Sequence, residues 1–150
     1  MKVQLRPDGK KEVFDPIRKK YVLLTPEEGV RQFVIAFLQS QCGVPAGHIA
    51  VETGLKLYDR PFRTDLRISN RQGKSVMVIE CKRPTVALTQ DVMEQAMRYN
   101  MLQKERFVLI TNGKGFLCWE RPQKETEHWR EWGRYPDWAE LNRETDQPSG

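Results

Sequence analysis

Asp65, Glu80 and Lys82 combine side-chain types and a spacing that can do chemistry. In SVMVIECKRPT, residues 75–85, the apolar run Val76–Ile79 reads as a buried strand that ends on Glu80, Cys81 and Lys82. Burying an acid and an amine at the end of a core strand is costly unless the charges are paired or used. Residues two apart on a strand share a face, so Glu80 and Lys82 point together and Cys81 points away. Asp65 lies 15 positions before Glu80, on what reads as the preceding strand of a hairpin. Two carboxylates on adjacent strands, with the backbone carbonyl between Glu80 and Lys82, make a hard oxygen site suited to Mg²⁺. A lysine beside such an ion can orient a water or stabilise charge developing on a phosphate.

The elements that must position these groups are legible on either side. FRTDLRIS and SVMVIECK are strand-like and are separated by NRQGK, which has turn chemistry. Asp65 shares the Glu80 face only for one parity of the pairing. A four-residue loop, Asn70 to Gly73, supplies it by setting Ser69 opposite Lys74 and Asp65 opposite Val78. A bulge can restore the same parity, whereas an unbulged pairing of Ser69 with Ser75 puts Asp65 on the wrong face.

Upstream, TPEEGVRQFVIAFLQSQ reads as a helix. Thr25 is its N-cap, Pro26 suits the first position, and Glu28 completes a capping box. Val30, Phe33, Val34 and Phe37 form the expected core stripe, and Gly43 and Pro45 follow the helix end. GHIAVETGLKL then looks like a strand. Downstream of the hairpin, Thr89 can cap a second helix, QDVMEQAMRYNMLQ, followed by the strands RFVLITNG and GFLCWER. The order helix, three strands, helix, two strands predicts an α/β fold around a mixed sheet. Residues 1–20 read as a polar, basic segment with Phe14 and Ile17 as apolar anchors, and Tyr21 just beyond it as a third. Residues 122–150 form a polar tail in which Trp129, Trp132 and Trp138 are expected to dock on the body. The whole of 1–150 is read as one domain.

Bulk properties narrow the class. A chain of 150 residues with 39% hydrophobic and 30% charged residues suits a soluble globular protein. No apolar run approaches the roughly 18 residues a membrane helix needs, and no signal-peptide core is present, so the cytoplasm is the expected compartment. Cys42, Cys81 and Cys118 are far apart, and with His48 and His128 they lack zinc-ligand spacing, so they read as reduced, buried thiols. Residues 1–120 hold 20 Lys and Arg against 13 Asp and Glu, whereas 121–150 hold 5 against 7. A basic body suggests a polyanionic partner. GKS at 73–75 is not a phosphate-binding loop, because Ile68 stands where that motif needs glycine and a strand follows instead of a helix.

Asp65 followed by ECK at 80–82 resembles the D…(D/E)xK signature of the PD-(D/E)XK nuclease superfamily, and QAMRY, with Gln95 and Tyr99, resembles its QxxxY extension. FDPIRKKYVLLTPEEGVRQ, IECKRPT, QAMRYNM and LITNG together resemble the N-terminal nuclease domain of type I restriction enzyme R subunits, and more specifically its short stand-alone relatives. The resemblance covers roughly residues 13–115. Thr64 replaces the proline that names the superfamily, and Gly29 stands where relatives often carry a larger side chain.

The resemblance implies a restriction-endonuclease-like core, a mixed central β-sheet flanked by helices, and a Mg²⁺- or Mn²⁺-dependent DNA endonuclease. Asp65 and Glu80 are the implied metal ligands, Lys82 the residue acting on water, and Gln95 a support for the metal site or a phosphate, with Tyr99 packed beside it. Arg63, Arg67 and Arg83, with Lys56 and Arg60, are candidates to track DNA phosphates without reading sequence. Related nucleases often place a first-helix glutamate near the metal. Glu27, about 60° from the centre of the apolar stripe, is favoured over Glu28 at about 160°, although Arg31 one turn on can pair with Glu27 instead. R subunits carry an ATP-driven motor that this sequence lacks, so translocation and target recognition either fall to partner restriction or defence subunits or are absent. The competing reading is a nucleic-acid-binding or scaffolding module without turnover. Loss of cleavage with retained DNA binding in Asp65 and Lys82 variants discriminates between the two.

Overall fold

A computed structural model describes residues 1–52, 65–100, 104–124 and 127–144, the side chains of 99 and 100 excepted. The strands β1 (Val3–Leu5), β2 (Lys11–Asp15) and β3 (Lys20–Leu23) form a small antiparallel sheet. A mixed sheet follows in the order β4 (Ile49–Val51), β5 (Leu66–Ser69), β6 (Ser75–Cys81), β7 (Phe107–Thr111), β8 (Phe116–Glu120) and β9 (Arg130–Glu131). Only β6 and β7 run parallel. A parallel pair needs a crossover, and α2 (Gln90–Asn100) supplies it. Helix α1 (Pro26–Ser40) covers one face of the sheet, where Val34, Ile35 and Leu38 meet Met77, Ile79, Phe107 and Leu109. On the opposite face, Met93 and Ala96 of α2 pack on Ile110. Burial on both faces explains why β6 and β7 read as continuous apolar runs rather than alternating ones.

The expected core stripe of α1 is rotated. Val30 and Val34 are buried as expected, but Phe33 is 46% exposed while Ile35 and Leu38 are fully covered. The reason is the N-terminal sheet, which the sequence reading took for a polar segment. Val13 and Asp15 of β2 are both fully buried, and the Asp15 carboxylate accepts the Ile17 and Arg18 N–H groups and a bond from Gln32 of α1. Helix α1 is therefore buried on two sides. Its capping box is also only half formed: Thr25 Oγ1 accepts the Glu28 N–H at 3.0 Å, but the Glu28 carboxylate turns to Arg18 and Arg31.

The hairpin that carries the chemistry takes a five-residue loop, not the expected four. Ser69 pairs with Ser75, and Asn70 Oδ1 accepts the N–H groups of Gln72 and Lys74 while Gly73 adopts φ +80°. The register then shifts between Ser69 and Ile68, so that Ile68 faces Met77 and Leu66 faces Ile79. This is the bulged alternative, and it restores the parity that the acid pair requires. The ladder ends at Leu66 opposite Ile79, and just beyond it the Asp65 N–H donates to the Ile79 C=O at 2.9 Å, so Asp65 does not stand opposite the expected Val78.

Thr89 caps α2 as expected, its Oγ1 accepting the Val92 N–H. The tail also docks: Trp132 meets Phe107 edge-on with ring centroids 5.1 Å apart, and Trp138 lies 4.8 Å from the His48 ring. Within it, β9 and α3 (Trp138–Leu141, with an Asp137–Glu140 capping box) were not expected. The strand expected over 47–57 is represented by β4 alone, residues beyond 52 lying outside those described. Cys42, Cys81 and Cys118 are buried free thiols. Among the described residues no helix is long and apolar enough to cross a membrane.

LITNG has a positional role. The Thr111 C=O accepts the Lys82 N–H at 2.8 Å, and Asn112 Nδ2–H donates to the Val86 C=O at 2.9 Å, so this turn holds the chain leaving β6. Gly113 in the turn has φ +84°, and an added Cβ would lie 3.3 Å from Val30 Cγ2 of α1. Gly113→Ala is expected to lower stability by about 1–2 kcal/mol. Gly29→Ala, whose Cβ meets only Leu24 Cδ1 at 3.8 Å, is expected to raise it by up to ~1 kcal/mol. Urea midpoints shifting in opposite directions at constant m-value are the check.

Candidate active site

The site forms where β6 ends, β5 begins and the first turns of α1 arrive. Asp65 is 5% exposed, and it flanks Glu80 on both sides. Its N–H donates to the Ile79 C=O at 2.9 Å, and its Oδ2 accepts the Cys81 N–H at 2.7 Å. Lys82 Nζ lies 2.9 Å from Glu80 Oε1, both side chains being largely covered. The adjacent acid and amine of the sequence are thus a short, shielded ion pair beside a second carboxylate.

Arg31 of α1 reaches the same place. Its Nη2 lies 2.7 Å from Asp65 Oδ1 and 3.6 Å from Glu27 Oε1, while its Nη1 lies 2.8 Å from Glu28 Oε2. Burial alone would lower the Arg31 pKa, but its bonds to Asp65 and Glu28 outweigh that and raise it. Glu28 is held on its other side by Arg18, whose Nη2 lies 2.5 Å from Glu28 Oε1 and whose Nε lies 2.5 Å from Asp15 Oδ2. The bonds from Arg18 and the Ile17 N–H hold the Asp15 carboxyl below its ordinary pKa despite burial.

Glu80 behaves in the opposite way. Burial pushes its carboxyl up from 4.5 to about 7, the Asp65 and Glu27 charges add to the rise, and Lys82 only partly offsets it. A buried carboxyl raised in this way beside a second acid is a common feature of functional sites.

Other expected residues fall differently. Arg67 is committed to Glu105 and Glu52, which ties β5 to the start of β7 and gives it a structural role rather than a free surface for phosphate. Arg83 is exposed, and among the described residues it makes no ion pair. Gln95 is exposed on α2 and makes no hydrogen bond to Asp65 or Glu80. Arg63, Lys56 and Arg60, like the side chain of Tyr99, lie outside the described residues. Glu27, favoured from the helical wheel, is half-exposed at the site, and its charge reaches Glu80. Glu28, disfavoured, is the more deeply buried and reaches Asp65 through Arg31. Arg31 entered the reading only as a partner for Glu27, because nothing local announces a pairing 34 positions along the chain.

The donor set fits a hard divalent cation. Mg²⁺ takes one or two carboxylates and completes its shell with water, backbone carbonyls and substrate oxygens. Asp65 and Glu80 are two carboxylates that could serve. Among the described residues there is no group of three or more His, Cys, Asp or Glu that could hold a metal.

A mixed α/β sheet with an acid pair and a lysine at the end of its central strand is the class of site defined here. The chain belongs to the family of the type I restriction enzyme R protein N terminus, whose model matches residues 26–131. The match runs from the first residue of α1 to the last of β9 and so includes every described residue of the acid pair and its lysine. No curated protein and no solved structure matches the chain.

Proposed function

We propose that this protein is a Mg²⁺-dependent DNA endonuclease with a PD-(D/E)XK core, acting by hydrolysis of the phosphodiester bond. The observation that carries the reading is the Asp65 carboxylate accepting the Cys81 N–H at 2.7 Å, between Glu80 and Lys82, whose Nζ lies 2.9 Å from the Glu80 carboxylate. Asp65 and Glu80 are the residues to hold the cation. The bound ion supplies Lewis-acid polarisation of the scissile phosphate and an acidified water. With the cation held by Asp65 and Glu80, Lys82 would orient the water and meet charge developing on the phosphate. Arg83 and Gln95, both exposed, are placed to contact the DNA backbone. Such contacts give salt-dependent affinity without sequence preference. Family membership supports DNA as the substrate and other restriction subunits as partners.

The test is nicking or cleavage of supercoiled and linear DNA with Mg²⁺ or Mn²⁺, abolished by a chelator and restored by excess metal. Lys82→Ala is expected to lose cleavage while keeping metal and DNA binding. DNA binding without metal-dependent cleavage in the wild type would move the reading to a non-catalytic nucleic-acid-binding module.

A further inference from the structure

We infer that Arg31 is a positioning residue that stands in for the metal's positive charge in the metal-free site and competes with the ion for Asp65. The inference rests on the reading of Asp65 and Glu80 as metal ligands. Its basis is a line of buried charges that hydrolysis does not use, Asp15, Arg18, Glu28 and Arg31, each in contact with the next and ending on Asp65.

An arginine kept for a structural ion pair needs one carboxylate. Arg31 has three, Glu28 at 2.8 Å, Asp65 at 2.7 Å and Glu27 at 3.6 Å, and Asp65 in turn acts on Glu80. The guanidinium therefore sits at the centre of an acidic cluster, where a cation is most strongly favoured. Its Nε is buried without a hydrogen-bond partner, a cost that a purely structural residue has no reason to keep. The two ends of the guanidinium are held unequally. Glu28 is fixed from behind by Arg18 and, through it, by Asp15 in the β2–β3 turn. Among the described residues, Asp65 has a single arginine partner and one backbone N–H on its carboxylate. When a divalent ion arrives, Arg31 gives up Asp65 and keeps Glu28, so the cluster stays neutralised before and after.

This assignment predicts a response that structural damage does not mimic, because damage to a metal site weakens binding. Arg31→Gln is expected to bind Mn²⁺ alone more tightly than the wild type, by roughly tenfold, since one competing charge is removed at close range. Its metal-free melting temperature falls, and added Mn²⁺ recovers more of it than in the wild type. Arg31→Lys keeps the charge but cannot span Glu28 and Asp65 with one compact ammonium, so its affinity should fall between the two. Calorimetric titration of the three proteins, each also with an uncleavable DNA duplex present, reads the result. If Arg31→Gln fails to fold, the lysine variant decides alone by the same sign. Wild-type binding with unchanged or weaker affinity in the variants overturns the role of Arg31 and leaves the metal site standing. Absence of metal binding in all three, with and without duplex, overturns both.

Discussion

Asp65→Asn is expected to abolish divalent-metal binding and DNA cleavage together and to lower stability through the lost Arg31 ion pair. Asp65→Ala, which also leaves the Cys81 N–H without an acceptor, is expected to unfold more readily still. The difference comes from the two jobs of one carboxylate. Oδ2 accepts the Cys81 N–H at 2.7 Å at the end of β6, and Oδ1 holds Arg31. Asparagine keeps an oxygen for the Cys81 N–H but removes the charge that a hard cation requires. Alanine removes both, leaving a buried N–H without an acceptor and a buried guanidinium short of a partner, at a cost of about 3 kcal/mol or more. Loss of a direct ligand should lower metal affinity by more than the roughly hundredfold that marks the upper end for an outer-shell partner. Calorimetry with Mn²⁺, thermal melts and a plasmid assay separate the two variants. Retained cleavage in a folded Asp65→Asn protein would sink the assignment of Asp65. Loss in the alanine variant alone would reduce it to a structural residue.

What the sequence made legible was local. The ECK triplet at the end of an apolar run, the turn chemistry of NRQGK, the Thr89 cap and the order of elements from α1 to β8 all depend on neighbours within a few residues, and all appear in the structure. The bulge was legible only as an alternative, since parity fixes which face a residue takes but not which loop supplies it. The failures are all long-range. Residues 1–20 read as a polar, basic segment because few apolar residues interrupt the charges, and only Val13 and Asp15 are fully buried in the sheet that β1 to β3 form. Missing that sheet put the α1 stripe in the wrong place, with Phe33 inside and Glu28 outside. A helix covered on two sides has no single apolar face to read, and Glu28 and Gln32 are buried as polar partners of Asp15, Arg18 and Arg31. The same blindness hid Arg31. Arg67, two positions along the chain from Asp65, is taken by Glu52 and Glu105, and the partner of Asp65 comes from α1.

The second large effect is one of pH, and Glu80 carries it. Its carboxyl is raised from 4.5 to about 7, by burial first and then by Asp65 and Glu27, against the pull of Lys82. Between those values the unfolded chain has released the proton and the native protein has not, so raising the pH favours unfolding. The metal-free protein is thus expected to hold this contribution in full below pH 4.5 and to lose it as the pH climbs through 7, by roughly 3 kcal/mol. Asp15 and Glu120 have lowered pKa values and act in the opposite sense. Their stabilisation is present above the ordinary carboxylate range and fades only below it, so their window does not overlap that of Glu80. Glu80→Gln should flatten the slope between pH 4.5 and 7 and, lacking a charged ligand, should lose metal binding. A divalent cation reverses the slope in the wild type, because binding requires the ionised carboxylate. At pH 6 each ion bound should therefore expel a proton, and at pH 8.5 almost none. Titrations in two buffers of different ionisation enthalpy measure that release directly. A wild type that binds metal at pH 6 without releasing protons would take Glu80 out of the ligand set.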